Sequence, residues 1–340
     1  MTRARDVADT QDNLGGAVAP VVAGKNFVIN GGFDIFQRST FNSQTGSAYA
    51  LDRWYSGVGG TITVTQQTTG APAGSQYCMR IAYNAASSFA NQFQALESAN
   101  ASLLAGQTVT ATVLVRANAT WAATTSQGLN FYVEKNSTAN TLTGGSWSSI
   151  SSTVVTGAAI ATGTGSTNWT KLTITCAIPN DGTAAGVRLR IGESVVGPSG
   201  AYWEMAQAQL EIGSVATPFS RAGGSIGGEL ALCQRYYWRQ TTTDNYIFFP
   251  GIGAAKSTTV AEFTVPNPVP MRTPAASVDS SNVNASDGIT LASGGTVSLS
   301  TNTQIASRIT ITYGSGLTAF RPYFIQGATG TCYLGFSAEL

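Results

Sequence analysis

The 340-residue sequence contains no histidine. That absence removes Ser-His-Asp and Cys-His nucleophile activation, His-ligated metal sites and the usual charge switch between about pH 5 and 8. What remains for catalysis is a carboxylate pair, or a Lys or Tyr acting as base. Charge is scarce too: charged residues make up 10% of the chain, 18 basic against 17 acidic, for a formal net charge of +1. Such a balance gives no footprint for nucleic acid or for an anionic membrane. No apolar run approaches the roughly 20 residues of a bilayer-spanning helix, and the polar opening "MTRARDVADTQDN" has no charged-then-apolar leader. The expectation is a soluble protein made in a cytoplasm, without membrane insertion. The four cysteines, Cys78, Cys176, Cys233 and Cys332, lie far apart with no CxxC spacing, which suggests neither a zinc cluster nor a redox motif. Cys78 and Cys176 sit among alternating apolar residues and read as small buried hydrophobes. "DSSNVNASDG", residues 279–288, has oxygen ligands but not the spacing of an EF-hand, and reads as a solvated loop. No cofactor and no metal are expected.

What is present is glycine, 38 residues of it, amid abundant Ser, Thr, Asn and Ala, with a hydrophobic fraction of 43%. That is the composition of short strands joined by polar turns. Apolar residues alternate in "NFVINGGFDIF", through Phe27, Ile29, Phe33 and Ile35, and again in "TVTATVLVRA" and "WTKLTITCAI". In "AGVRLRIGES" Val187, Leu189 and Ile191 turn inward and Arg188 and Arg190 outward; in "AYWEMAQAQLEI" Ala206, Ala208, Leu210 and Ile212 share a face, with Glu204 and Glu211 on opposite faces. One helix is expected in "ESANASLLAGQ", with Ser98 as N-cap, Gly106 as stop and Leu103 and Leu104 buried. The pattern predicts an all-β chain: two antiparallel β-sandwich, jelly-roll-like domains in tandem behind a short N-terminal arm. The expected divisions are an arm over 1–25, a first sandwich over 26–222, a joint over 223–240 and a second sandwich over 241–340.

The joint, together with the strand leading into it, carries a resemblance. "AQLEIGSVATPFSR" followed by "GGELALCQRYYW" resembles a segment of bacteriophage tail-fibre and other virion proteins, where it closes a carbohydrate-binding-module-like jelly roll and starts the next domain. "NFVINGGFDIFQRS", "LDRWY", "VPMRTPAASV", the opening "TRARDVAD" and the terminal "GFSAEL" are similar to the same family, in the same order. "DIFQRS" departs from it in carrying Phe36 where a Trp is more usual. The resemblance implies a virion location in the tail, an arm that docks to other virion proteins, and adhesion to a host surface glycan as a homotrimer. A purely structural baseplate or capsid-decoration role, and a tailspike-type polysaccharide depolymerase, are the alternatives.

For glycan stacking, Trp121 and Trp147 are the candidates, because each lies in a polar, Ser/Thr-rich stretch; the competing reading folds these rings over the sandwich end or onto a neighbouring subunit. In "LDRWY", Asp52, Trp54 and Tyr55 are ligand-binding candidates, against a reading in which Trp54 is core and the Asp52-Arg53 charges orient a loop. Trp169 and Trp203 read as core. In the second domain Tyr246, Phe248, Phe249, Phe320, Arg321 and Tyr323 combine Arg with aromatics, as binding hot spots do, and are expected either at a receptor-contacting tip or between subunits. Pro218, Tyr236, Tyr237 and Trp238 mark the domain joint. Nothing in the sequence brings two carboxylates together, so no catalytic residue and no enzyme activity are expected.

Overall fold

A computed structural model describes residues 25–38, 41–85, 89–124, 128–193 and 197–340. Apart from Lys25, the expected N-terminal arm lies outside the described residues.

The all-β expectation holds. The first domain is a sandwich of two six-stranded antiparallel sheets. One, the front sheet below, runs in spatial order β2 (Ala48–Leu51), β3 (Trp54–Val58), β6 (Ala90–Ala95), β11 (Gly186–Glu193), β8 (Leu129–Asn136) and β9 (Ser148–Val155). The other, the back sheet, runs β1 (Phe41–Thr45), β4 (Thr61–Gln67), β5 (Cys78–Tyr83), β12 (Tyr202–Ile212), β7 (Thr108–Ala117) and β10 (Thr170–Ala177). Successive strands repeatedly change sheet, so the two inner faces fill one core. Trp54, Phe131, Ile191, Val113, Trp203 and Leu210 are among its buried members. The four cysteines are free thiols, all but Cys176 buried.

Three short helices occur among the described residues: α1 (Ser98–Leu104), α2 (Ala119–Thr124) and α3 (Ile226–Gln234). The expected helix is α1, but Glu97, without a side-chain cap bond, stands at its N-cap position, and Leu103 is 61% exposed while Ala101 and Leu104 are buried. A helix this short presents only one narrow stripe to the core.

Two stretches depart from simple alternation. Residues 26–38 form no strand. They fold as a turn nested around Asn30, which has a φ of 57°. The buried Asn30 side chain donates to the carbonyls of Ile35 (2.8 Å) and Asp52 (3.1 Å) and accepts from Ile35 N (3.0 Å), so a local polar network replaces a ladder. In β12 the register with β7 shifts between Ala206 and Gln209, and Gln207 adopts a φ of 52°. This bulge breaks the expected alternation. Trp203, Met205, Ala208 and Leu210 join the core, and Ala206 does not. Glu204 pairs opposite Arg116 and Glu211 opposite Thr110, six residues apart on β7, so the two carboxylates share the outer face about 20 Å apart.

The second domain packs a three-stranded sheet, β13 (Tyr237–Thr242), β22 (Cys332–Ser337) and β16 (Ser277–Ser281), on a seven-stranded one. The larger sheet runs β18 (Leu291–Ala292), β17 (Val283–Ser286), β21 (Pro322–Gly327), β14 (Phe248–Ala255), β15 (Val260–Pro266), β20 (Ala306–Thr312) and β19 (Thr296–Asn302). Residues 279–288, read as a solvated loop, instead supply β17 and the end of β16, with Asn284 and Ser286 buried.

The joint is a small core of its own. Ile29 and Ile35 from the first domain meet Cys233 and Tyr236, with Leu340 packed against them. α3 begins at Ser225, whose hydroxyl accepts from Gly228 N at 3.1 Å. The backbones of Gly223 and Gly228 touch here: a Cβ on Gly223 would stand 2.2 Å from the carbonyl carbon of Gly228. Buried Glu229 of α3 accepts from Gly223 N at 2.7 Å and from Asn30 N of the first domain. Arg53, its guanidinium 3.5 Å from the Tyr236 ring centre, pairs with Glu339.

Candidate functional site

The outer face of the front sheet gathers aromatic rings and guanidinium groups in register. Tyr49, Tyr55, Phe93, Arg190, Tyr132 and Ser152 lie opposite one another on β2, β3, β6, β11, β8 and β9. Because side chains alternate along a strand, this row faces away from the core, whose neighbours Ser56, Gln92, Ile191 and Phe131 point inward. From Tyr49 to Tyr132 the row crosses five strands, about 19 Å at ordinary strand spacing.

The rings are held by charge. The Arg190 guanidinium lies 3.7 Å from the Tyr132 ring centre. Arg188, one outward position along, lies between two rings, 4.5 Å from Phe93 and 4.2 Å from Trp147. Glu134 ties both arginines down, accepting from Arg188 Nε at 2.6 Å and Arg190 Nε at 2.9 Å. Arg188 also donates to the Leu142 carbonyl at 2.6 Å. Burial pulls the Arg188 guanidinium below its ordinary pKa, and the Glu134 charge opposes that pull. Removing water around a guanidinium disfavours its charged form, whereas an adjacent carboxylate favours it.

Beside the rings runs a second outward row with little side chain: Gly57, Asn91, Gly192, Asn130 and Val154. A Cβ on Gly57 would come 2.7 Å from the Phe93 ring, so that ring rests in the space the glycine leaves. Asn91 accepts from Arg190 at 3.3 Å. The result is a shallow polar floor along a wall of rings. A pyranose can lay its apolar C–H face on such rings while its hydroxyls meet the amides of the floor and the guanidiniums beside the rings.

Of the residues singled out from the sequence, Tyr55 and Trp147 belong to this face, both half-buried. Tyr55 packs edge-on against Tyr49 with centroids 5.2 Å apart. The others do not reach it. Trp54 is fully buried in the core, donating to the Asn30 carbonyl at 3.1 Å. Asp52 is buried at the joint, accepting from Gln37 N and Nε2, both at 2.7 Å, and burial pushes its carboxyl up to about 6. Neither can touch a glycan. Trp121 is also fully enclosed, on α2, and donates its indole N–H to Glu193 at 2.6 Å, so it cannot be a stacking platform. Trp169, expected in the core, is instead half-buried under Arg116 on the outer face of the back sheet.

In the second domain Phe249 and Tyr323 are buried core residues, not tip residues. Tyr246, Phe248 and Phe320 are exposed, Phe320 to 86%, and the exposed Arg321 pairs with Asp287 at 2.9 Å. At the joint, Tyr236 and Tyr237 are buried under Arg53 and Arg38, and Trp238 joins the second-domain core. Pro218, expected at the joint, is exposed on the outer face of the back sheet. Sequence reasoning missed Phe93 and Tyr132, and it weighed Glu134 only as a carboxylate, without a place on this face. Their outward positions were readable from alternation, but that they lie opposite Arg188 and Arg190 depends on cross-strand register.

No family model and no curated protein matches this chain. Among solved structures, TmCBM61 in complex with β-1,4-galactotriose is 12% identical with a TM-score of 0.32, covering 55% of this chain and 99% of its own. The CBM22-1 xylan-binding domain of Paenibacillus barcinonensis Xyn10C is 10% identical with a TM-score of 0.31, over 57% of this chain and 98% of its own. The enzymatically active domain of bacteriophage CBA120 tailspike protein 4 is 12% identical with a TM-score of 0.34, over 55% of this chain and 21% of its own. These likenesses are of low identity and low TM-score, and the chemistry of the face rests on this chain's own residues.

Proposed function

We propose that this chain is a non-catalytic adhesin of a bacteriophage tail that binds cell-surface polysaccharide along the outer face of the front sheet. The observation that carries the glycan reading is the in-register row of Tyr55, Phe93, Arg190 and Tyr132 beside the floor of Gly57, Asn91, Gly192 and Asn130. The position in a virion tail, docking through residues 1–25 and assembly as a homotrimer belong to the same proposal, and their support is the sequence resemblance. Each site would bind weakly, and several copies engaging one surface would multiply the hold.

The non-catalytic part is supported by the carboxylates. Both oxygens of Glu134 are committed to arginines, and Glu204 is held between Arg80 and Arg116. Neither is placed opposite a second free carboxylate, as glycoside hydrolysis requires.

A purely structural virion role is the second reading. It is favoured by the guanidiniums that already cover the rings of Phe93, Trp147 and Tyr132. Incubating the purified chain, wild type and Tyr132→Ala, with extracted surface polysaccharides while assaying reducing ends separates the readings. Binding that drops about tenfold in the variant without new reducing ends supports the adhesin. No binding supports the structural role, and new reducing ends a depolymerase.

A further inference from the structure

A cavity of about 500 Å³ opens on the outer face of the back sheet, on the opposite side of the sandwich from the ring row. It is lined by Thr112 and Leu114 of β7, Lys171 of β10, Gln207 of β12, and Pro218 and Phe219. The segment "SVATPFSR", part of the stretch that carries the sequence resemblance, does not simply leave the domain. It turns back over the sheet as the cavity's wall.

That wall is built to stay in place. Buried Glu211 accepts from Thr217 N at 2.8 Å and from the Thr217 hydroxyl at 2.6 Å, and buried Gln209 accepts from Ser220 N at 2.8 Å. The Phe219 ring lies over Gly32, 3.3 Å from where a Cβ would stand. On β12 the bulge puts Gln207 in the left-handed region, a cost that a bare strand would avoid. Both amide hydrogens of Gln207 are used, on the Ala73 carbonyl (2.9 Å) and the Ser75 hydroxyl (3.1 Å), which leaves its carbonyl oxygen as an oriented acceptor. Lys171 is exposed, lines the cavity and makes no ion pair among the described residues.

We propose that this cavity is a second binding site, for a single sugar residue that carries a carboxylate, of the hexuronic acid class. The volume suits one small-molecule unit and not a long chain lying flat. Phe219 and Pro218 offer apolar surface to the C–H face, the Gln207 carbonyl and the Thr112 hydroxyl meet sugar hydroxyls, and Lys171 meets the carboxylate. The site is independent of the ring row: different strands, the opposite face and a charged ligand.

Calorimetric or NMR titration of the full chain with methyl glucuronoside and with methyl glucoside tests it. The expected result is that the glucuronoside binds at least about tenfold more tightly, that added salt weakens it, that Lys171→Met abolishes the preference, and that Lys171→Arg leaves it intact. Equal affinity for the two glycosides, binding of neither, or wild-type preference in Lys171→Met would overturn the proposal. Lys171 is exposed, so loss of folding does not confound that variant.

Discussion

Trp121 donates its indole N–H to a carboxylate oxygen of Glu193 at 2.6 Å, inside a core where neither residue has exposed surface. The other Glu193 oxygen, Oε1, has no hydrogen-bond partner among the described residues. Burial pushes the carboxyl from the ordinary 4.5 up to about 8. The folded protein therefore holds a proton at neutral pH that the unfolded chain releases, and stability falls as pH rises wherever the folded state binds more protons. The Glu193 contribution is fully present below about pH 4.5 and gone above about pH 8. Asp52, raised to about 6 by its own burial, adds the same sign at lower pH. Denaturant unfolding from pH 5 to 9 should show stability declining. Glu193→Gln should flatten the portion between pH 6 and 8, and an unchanged slope there would contradict the assignment.

Glu134 holds two arginines at once on the proposed binding face. Removing it leaves Arg188, buried between Phe93 and Trp147, without its countercharge. Glu134→Ala should cost about 3 kcal/mol in urea or guanidinium unfolding, because breaking a buried pair strands the remaining charge. A loss below about 1 kcal/mol would mean that water already serves these guanidiniums.

At the joint, Glu229 satisfies backbone donors from both sides, Gly223 N and Asn30 N. Glu229→Ala orphans the buried Asn30 N–H, at about 1–3 kcal/mol, and the half-buried Gly223 N–H, at less. The expected outcome in calorimetry is a lower first transition and separation of the two domains' melting. Gly228→Ala should act similarly, since its Cβ would stand 2.1 Å from the Gly223 carbonyl oxygen. A single transition at the wild-type temperature in both variants would show that α3 does not couple the domains.

The seven-stranded sheet exposes Phe248, Ile252 and Phe324, with Ile252 at 82%, and Phe320 is exposed in the turn before β21. If the homotrimer proposal holds and this face lies between subunits, light scattering of the full chain should report a trimer, and Ile252→Asp with Phe320→Asp should yield a folded monomer. A wild-type monomer would remove the proposal, and a trimeric double variant would place the contact elsewhere.

How much was legible varies by element. Val187, Leu189 and Ile191 inward with Arg188 and Arg190 outward could be read from alternation, because strand side chains alternate strictly until a bulge intervenes. The β12 bulge shows the limit. Ala206 and Glu204 swapped faces relative to simple alternation, since one left-handed residue, Gln207, shifts the register and nothing in "EMAQAQLEI" marks it. Trp121 misled for a related reason: its stretch is polar, yet a short helix turns the ring into the sandwich, where Glu193 receives it.

The sequence by itself determined the class of the protein. Without histidine, with few charges and with glycine-punctuated alternation, it could build antiparallel sandwiches and could not build the common nucleophilic or His-ligated metal sites. Only the tertiary structure decided where function can reside. Tyr55, Phe93, Arg190 and Tyr132 come from four strands spread over 136 positions or fewer of chain, and become one surface because β3, β6, β11 and β8 pair in one register. Period-2 alternation says which way a side chain points, but which residue stands beside it across the sheet is set by long-range pairing, and that information is not local to any stretch of the chain.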